Sequence, residues 1–133
     1  MDLINDKFSV KTQDKTELVD ITRQVESILN KNKITNGLVN ILVKHTTCGL
    51  MICENDEDLK RDVKNLIQLI PDFNFAHKDG EAGHAKSHIL SSIIGHSISL
   101  PIADGRLDLG TWQKVMLLEL DGPKERELKL TIF

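Results

Sequence analysis

Residues 38–56, LVNILVKHTTCGLMICEND, limit the fold more than any other stretch of the chain. Two apolar runs meet there with only Lys44 to Thr47 between them, and acids close the second. Apolar runs of about four to eight residues, bounded by polar punctuation, read as strands with a buried face. The imidazole and hydroxyls of His45-Thr46-Thr47 therefore sit at a strand end, a rigid place from which to present a pocket. Cys48 and Cys53 lie five apart, so in a strand they point to opposite faces and cannot pair with each other. The N-terminus MDLINDKFSV has neither the basic nor the apolar region of a secretory leader. Reduced thiols and a cytoplasmic location are the expectation.

Elsewhere the pattern alternates between strand and helix signals. Phe8 to Gln13 alternates as a half-buried strand does. Asp20 or Thr22 can cap a helix with Val25, Ile28 and Leu29 on one face. Asn55 or Asp56 can cap a second, whose apolar positions run from Leu59 to Ile70 before Pro71 stops it. Residues 72–83 read as loop, and His84 to Ile94 as a shorter helix closed by Gly95. Ser97 to Ile102, Val115 to Leu120 and Glu127 to Phe133 complete the strands, with turns at 103–106 and 121–124. Strands dominate and helices do not alternate with them, which predicts an α+β fold: two or three helices laid on a largely antiparallel sheet.

The 133 residues match one domain, 1–133, with no repeat or linker. A net charge of −3 with both signs interspersed, and only four Phe and one Trp, argue against a nucleic-acid partner. No apolar run approaches the roughly 20 residues of a membrane helix.

The histidines need explaining. His84 and His88 stand four apart on the predicted helix, one turn and one face. The intervening Ala-Lys-Ser lacks the glutamate of the HExxH peptidases. Imidazoles converging from the His45 strand, the His77 loop and this helix suit a zinc-like ion with a position left open. The plain alternative is that each histidine bonds locally. Glu54-Asn55-Asp56 is equally two-sided: acids that start a helix, or a base and ligands on the rim of the His45 pocket. Trp112 is expected to anchor a core or an interface. Asp121-Gly122-Pro123 reads as a turn, with no chemistry assigned.

Three ordered motifs resemble the YjbQ-like family. They are His45-Thr46-Thr47 with Glu54-Asn55 and Asp58, then His88, Ser92, Gly95 and Ser97 leading to Pro101, then Gly105 to Gln113 closing on Glu119 and Asp121-Gly122-Pro123. The resemblance implies a sandwich-like sheet, a homotrimer, and a secondary thiamine-phosphate synthase activity. That reaction joins hydroxymethylpyrimidine pyrophosphate to thiazole phosphate and releases pyrophosphate. It implies recurring polar positions at His45, Thr46, Glu54, Asn55, His77, His88 and Trp112. Cys48 stands where the family usually has Ala or Ser, Lys124 where Arg is common, and His84 near a frequent Asn. The metal set expected on that basis is His45, His77 and His88, with His84 an extra group.

The functional expectation is thus an enzyme with His45, Thr46 and Glu54 as catalytic groups. Thr47, Asn55, Lys86, Arg106 and Trp112 would bind a small phosphorylated molecule. A divalent metal, zinc-like at the histidines or magnesium with the pyrophosphate, would stabilise the leaving group. The competing readings are a metal-dependent hydrolase and a trimer that holds a metal or small ligand without turnover.

Overall fold

The computed structural model describes residues 2–73, 75–77 and 84–133. In chain order the elements are β1 (Ile4–Lys11), β2 (Glu17–Asp20), α1 (Thr22–Lys31), β3 (Gly37–Val43), β4 (Cys48–Cys53) and α2 (Glu57–Leu69). They continue with α3 (His84–Ile94), β5 (Ser97–Ala103), β6 (Arg106–Leu107), β7 (Lys114–Glu119) and β8 (Glu125–Ile132). Residue 74 and residues 78–83, part of the expected loop, lie outside the described residues.

The strands form a five-stranded sheet, β1-β8-β3-β5-β6, and a three-stranded sheet, β2-β7-β4, with antiparallel pairing throughout. The α+β expectation holds. β3 and β4, the strands of the opening stretch, separate at His45 to Thr47 and enter different sheets. One core lies between the sheets and under α1, where Val25, Ile28 and Leu29 meet Val39, Ile41, Leu117, Leu128 and Leu130. A second core lies on the far face of the smaller sheet, where Met116, Leu118 and Leu120 meet Val63 and Ile67 of α2 and Leu90 and Ile94 of α3. β7 is covered on both faces, which explains its unbroken apolar run.

The caps follow local chemistry. Asp56 is the N-cap of α2, its Oδ2 accepting the Leu59 N–H at 2.9 Å. At α1 the N-cap position falls on Ile21, and Asp20 Oδ1 instead accepts the Thr22 N–H at 2.9 Å. β2 and β6 are short strands that the alternation did not reveal, four and two residues long. Trp112 is 71% exposed, so of its two expected tasks the core anchor is excluded. Among the described residues, no helix is long and apolar enough to cross a membrane.

α3 seats on β4 at Gly49. A Cβ there would meet the Gly95 carbonyl oxygen and Ile94 Cγ2, both at 2.9 Å. Gly49→Ala is expected to lower unfolding stability by about 1–3 kcal/mol, the usual cost of overpacking. An unchanged urea midpoint would mean that α3 is not held this tightly against the sheet.

Candidate metal centre

α3 opens at His84, and its first turn carries His88 onto the same face. His77, from the segment before the helix, closes the group. Ring centroids lie 4.5 Å apart for His84 and His88, 4.9 Å for His77 and His88, and 5.6 Å for His77 and His84. One nitrogen from each ring can be chosen so that all three lie within 4.8 Å of one another. His84 and His88 are half-buried and His77 is exposed, which leaves an entry side.

The strongest geometric pointer is the nitrogen that faces away from the cluster. His84 Nδ1–H donates to Asp121 Oδ2 at 3.1 Å. A carboxylate accepts only, so this contact places a proton on Nδ1, and in the neutral ring Nε2 is then the lone pair. That Nε2 lies 2.9 Å from His88 Nε2. For that contact to be a hydrogen bond, one of the two nitrogens carries a proton and the other accepts it. Neutral imidazoles with a carboxylate behind one of them are the donor set of a zinc-like centre with an open fourth position. Asp121 is held in turn by Lys124 Nζ at 2.9 Å and Lys15 Nζ at 3.3 Å. Burial pushes its carboxyl up, but the hydrogen bonds from Lys124, His84 and Lys15 outweigh that and bring it down to about 2.

Of the expected set of His45, His77 and His88, the structure brings His77 and His88 together with His84, and His45 is not in that group. His45 lies two residues past the end of β3 and turns its ring toward β8, where Nε2 accepts the Glu127 N–H at 2.8 Å. The Lys44 N–H meets the Glu127 carbonyl at 3.2 Å, so the imidazole supplies the acceptor where the β3–β8 ladder gives out. Burial first, then the Arg126 charge, lowers the pKa of His45 and favours this neutral, accepting form.

The other expected residues are spread out. Thr46 and Glu54 are exposed, and Asn55 Nδ2 donates to Asp20 Oδ2 at 3.1 Å. Lys86 Nζ is engaged with the carbonyls of Ile67, at 3.3 Å, and Ile70, at 2.9 Å, tying the end of α2 to α3. Arg106 is exposed and lines a cleft with Arg23, Glu26 and Asn30, and Trp112 stands in the turn before β7. Thr47 is buried, its Oγ1 accepting from Arg126 Nη2 at 2.8 Å and its carbonyl from the same nitrogen at 3.1 Å. His96 Nε2 lies 2.7 Å from Ser91 Oγ, whose proton goes to the Cys48 carbonyl at 2.5 Å. The hydroxyl is therefore spent as a donor, and the pair is a part-buried strut rather than a nucleophile and base.

Sequence reasoning placed Glu119 and Asp121 in a motif without giving them a role, and it missed Arg126. Glu119 and Arg126 form an ion pair with side chains 0% and 2% exposed. The signal was present as an acid in the apolar run Val115 to Leu120 and an arginine on the inward face of β8, since buried charges come paired. Asp121 was masked by its turn. Gly122 follows it because a Cβ there would stand 2.2 Å from the Asp14 carbonyl oxygen.

The His45 contact gives a pH signature. Its ordinary pKa is 6.5 and the fold lowers it, so the unfolded chain binds the proton more readily. The stability it contributes is complete above about pH 6.5 and is lost as pH falls from there through the lower folded value. His45→Gln keeps an acceptor for Glu127 but does not titrate. Urea midpoints at pH 7.5, 6.5 and 5.5 are expected to fall more steeply for wild type than for this variant. Parallel curves would remove the contact from the account.

The model of the family described as UPF0047 protein YjbQ-like matches residues 6–133. A UPF0047 protein of Methanocaldococcus jannaschii is 41% identical over 129 residues, 95% of this chain and 91% of that protein. The UPF0047 protein YugU of Bacillus subtilis is 37% identical over 120 residues, 90% of this chain and 91% of that one. Among solved structures, a YbjQ-like protein of unknown function from Sulfolobus solfataricus superposes with a TM-score of 0.89 at 34% identity, covering 98% of this chain and 96% of that one. A hypothetical protein from Aeropyrum pernix reaches a TM-score of 0.90 at 33% identity, covering 98% of each chain. In sequence over nearly its whole length, and in fold, the chain belongs to the YjbQ-like UPF0047 family.

Proposed function

We propose that this chain is a metal-dependent enzyme that acts on a small phosphorylated molecule at His77, His84 and His88. The observation that carries the reading is the Asp121 contact on His84 Nδ1, which puts a proton on the outer nitrogen and aims Nε2 at its neighbours. Local bonding would satisfy a lone histidine; three imidazoles with a carboxylate behind one favour a cation. A zinc-like ion there would act as a Lewis acid on a phosphoryl or pyrophosphoryl oxygen. His77, His84 and His88 orient it, and Asp121 keeps the proton of His84 on the outer nitrogen.

Within that class, the reaction proposed is the thiamine-phosphate synthase transfer implied by the family resemblance, with magnesium accompanying the pyrophosphate. A homotrimer and a cytoplasmic setting are part of the same proposal. Trp112, Ile93, Leu66 and Leu69 are large apolar side chains left facing solvent, which an assembly would cover. Hydrolysis of the pyrophosphate ester is the simpler reaction available to the same centre.

The test incubates zinc-loaded and chelator-stripped protein with hydroxymethylpyrimidine pyrophosphate, with and without thiazole phosphate, plus magnesium. The expected result is thiamine phosphate from the loaded protein, reduced by roughly 100-fold or more after stripping and in a folded His88→Ala variant. Pyrophosphate release without coupling would keep the centre and replace the transferase by a hydrolase. Tight zinc or substrate capture with no product would replace the enzyme by a binding protein.

A further inference from the structure

The Glu119 carboxylate is fully occupied. Its Oε1 accepts from Thr12 Oγ1 at 2.7 Å and Arg126 Nε at 2.9 Å. Its Oε2 accepts from Arg126 Nη2 and from two consecutive main-chain donors, Leu120 N–H at 3.0 Å and Asp121 N–H at 3.1 Å. Removing two charges from water is costly, and well-packed apolar side chains of similar volume often stabilise a fold at least as well. Stability alone therefore gives little reason for the pair, whereas its geometry does one specific thing. Two successive N–H groups on one oxygen fix the main chain at 120 and 121, and so fix the direction in which the Asp121 side chain leaves.

That direction puts Oδ2 at 3.1 Å from His84 Nδ1. Arg126 also holds Thr47 through its carbonyl and hydroxyl, and the Leu120 N–H is shared with the Thr47 carbonyl at 3.2 Å. The segment after His45 and the residue behind His84 thus hang on one buried carboxylate. We infer that the Arg126–Glu119 pair is a positioning device for the histidine centre, setting the tautomer and the metal affinity of His84 through the main chain of Asp121. Glu119 and Arg126 touch no ligand themselves; they act through Asp121. The inference rests on the reading of His77, His84 and His88 as a metal centre, but its first test needs no metal.

That test reads the nitrogen-15 resonances of His84 in metal-free protein at pH 8. Wild type is expected to show the proton on Nδ1, and Glu119→Gln, which offers the main chain no second carboxylate oxygen, a mixture of tautomers. The second test is zinc affinity by competition with a chromophoric chelator. Glu119→Gln is expected to weaken zinc roughly 10-fold, within the 10- to 100-fold range of groups behind a metal ligand, and Asp121→Asn at least as much. The double variant is expected to be no weaker than Asp121→Asn alone, because one acts through the other. Val25→Ala, a core truncation under α1, lowers stability but keeps wild-type affinity, which separates positioning from general loosening.

Where an unpaired Arg126 prevents Glu119→Gln from folding, Glu119→Gln with Arg126→Met removes both charges together and is read in the same way. An unchanged His84 tautomer in the folded variant overturns the inference, as do effects that multiply in the double variant. A tautomer that shifts as expected in a protein that takes up no zinc sustains the positioning role and overturns the metal reading alone.

Discussion

A buried arginine and glutamate hold the two sheets of this fold together at one corner. Arg126 comes from β8 in the larger sheet and Glu119 from the end of β7 in the smaller one. Thr12, just after β1, and Thr47, between β3 and β4, complete the cluster. Breaking such a pair by removing one partner costs about 3–5 kcal/mol, because the other charge is left buried and unpaired. The corner is consequently rigid, and the residues that leave it, Leu120 and Asp121, inherit that rigidity through the N–H groups that Glu119 accepts.

The histidine centre is assembled on this corner from short-range and long-range parts. Helical periodicity alone brings His84 and His88 together, one turn apart on α3. The orientation of His84 comes from Asp121, 37 residues away in sequence. α3 itself is pinned by Ser87 Oγ, which donates to the Leu120 carbonyl at 2.7 Å, and by Lys86, which caps the end of α2. Asp121 is held by the fold before any ligand arrives, which is what preorganisation requires.

The sequence makes much of this legible, for identifiable reasons. The apolar runs on either side of His45-Thr46-Thr47, the Asp56 cap and the period of α2 are local signals, and the elements appear where those signals put them. β2 escaped because four residues, Glu17 to Asp20, are too few to alternate visibly. His45 reads two ways because a strand-end imidazole can face a pocket or finish a ladder, and only the register of β8 shows that its Nε2 meets the ladder. Asp121 escaped because Asp-Gly-Pro is sufficient as a turn, and nothing local reveals that its carboxylate reaches α3. Periodicity finds elements; convergence from separate elements needs the fold.

In the proposed centre three imidazoles, and no thiolate, hold a divalent ion. X-ray absorption at the zinc edge of the stoichiometrically loaded protein addresses it directly. The account predicts about three imidazole nitrogens at about 2.0–2.1 Å with a light oxygen completing the shell, and loss of one imidazole in His84→Ala. A sulfur neighbour near about 2.3 Å, or a shell unchanged in His84→Ala, would contradict it.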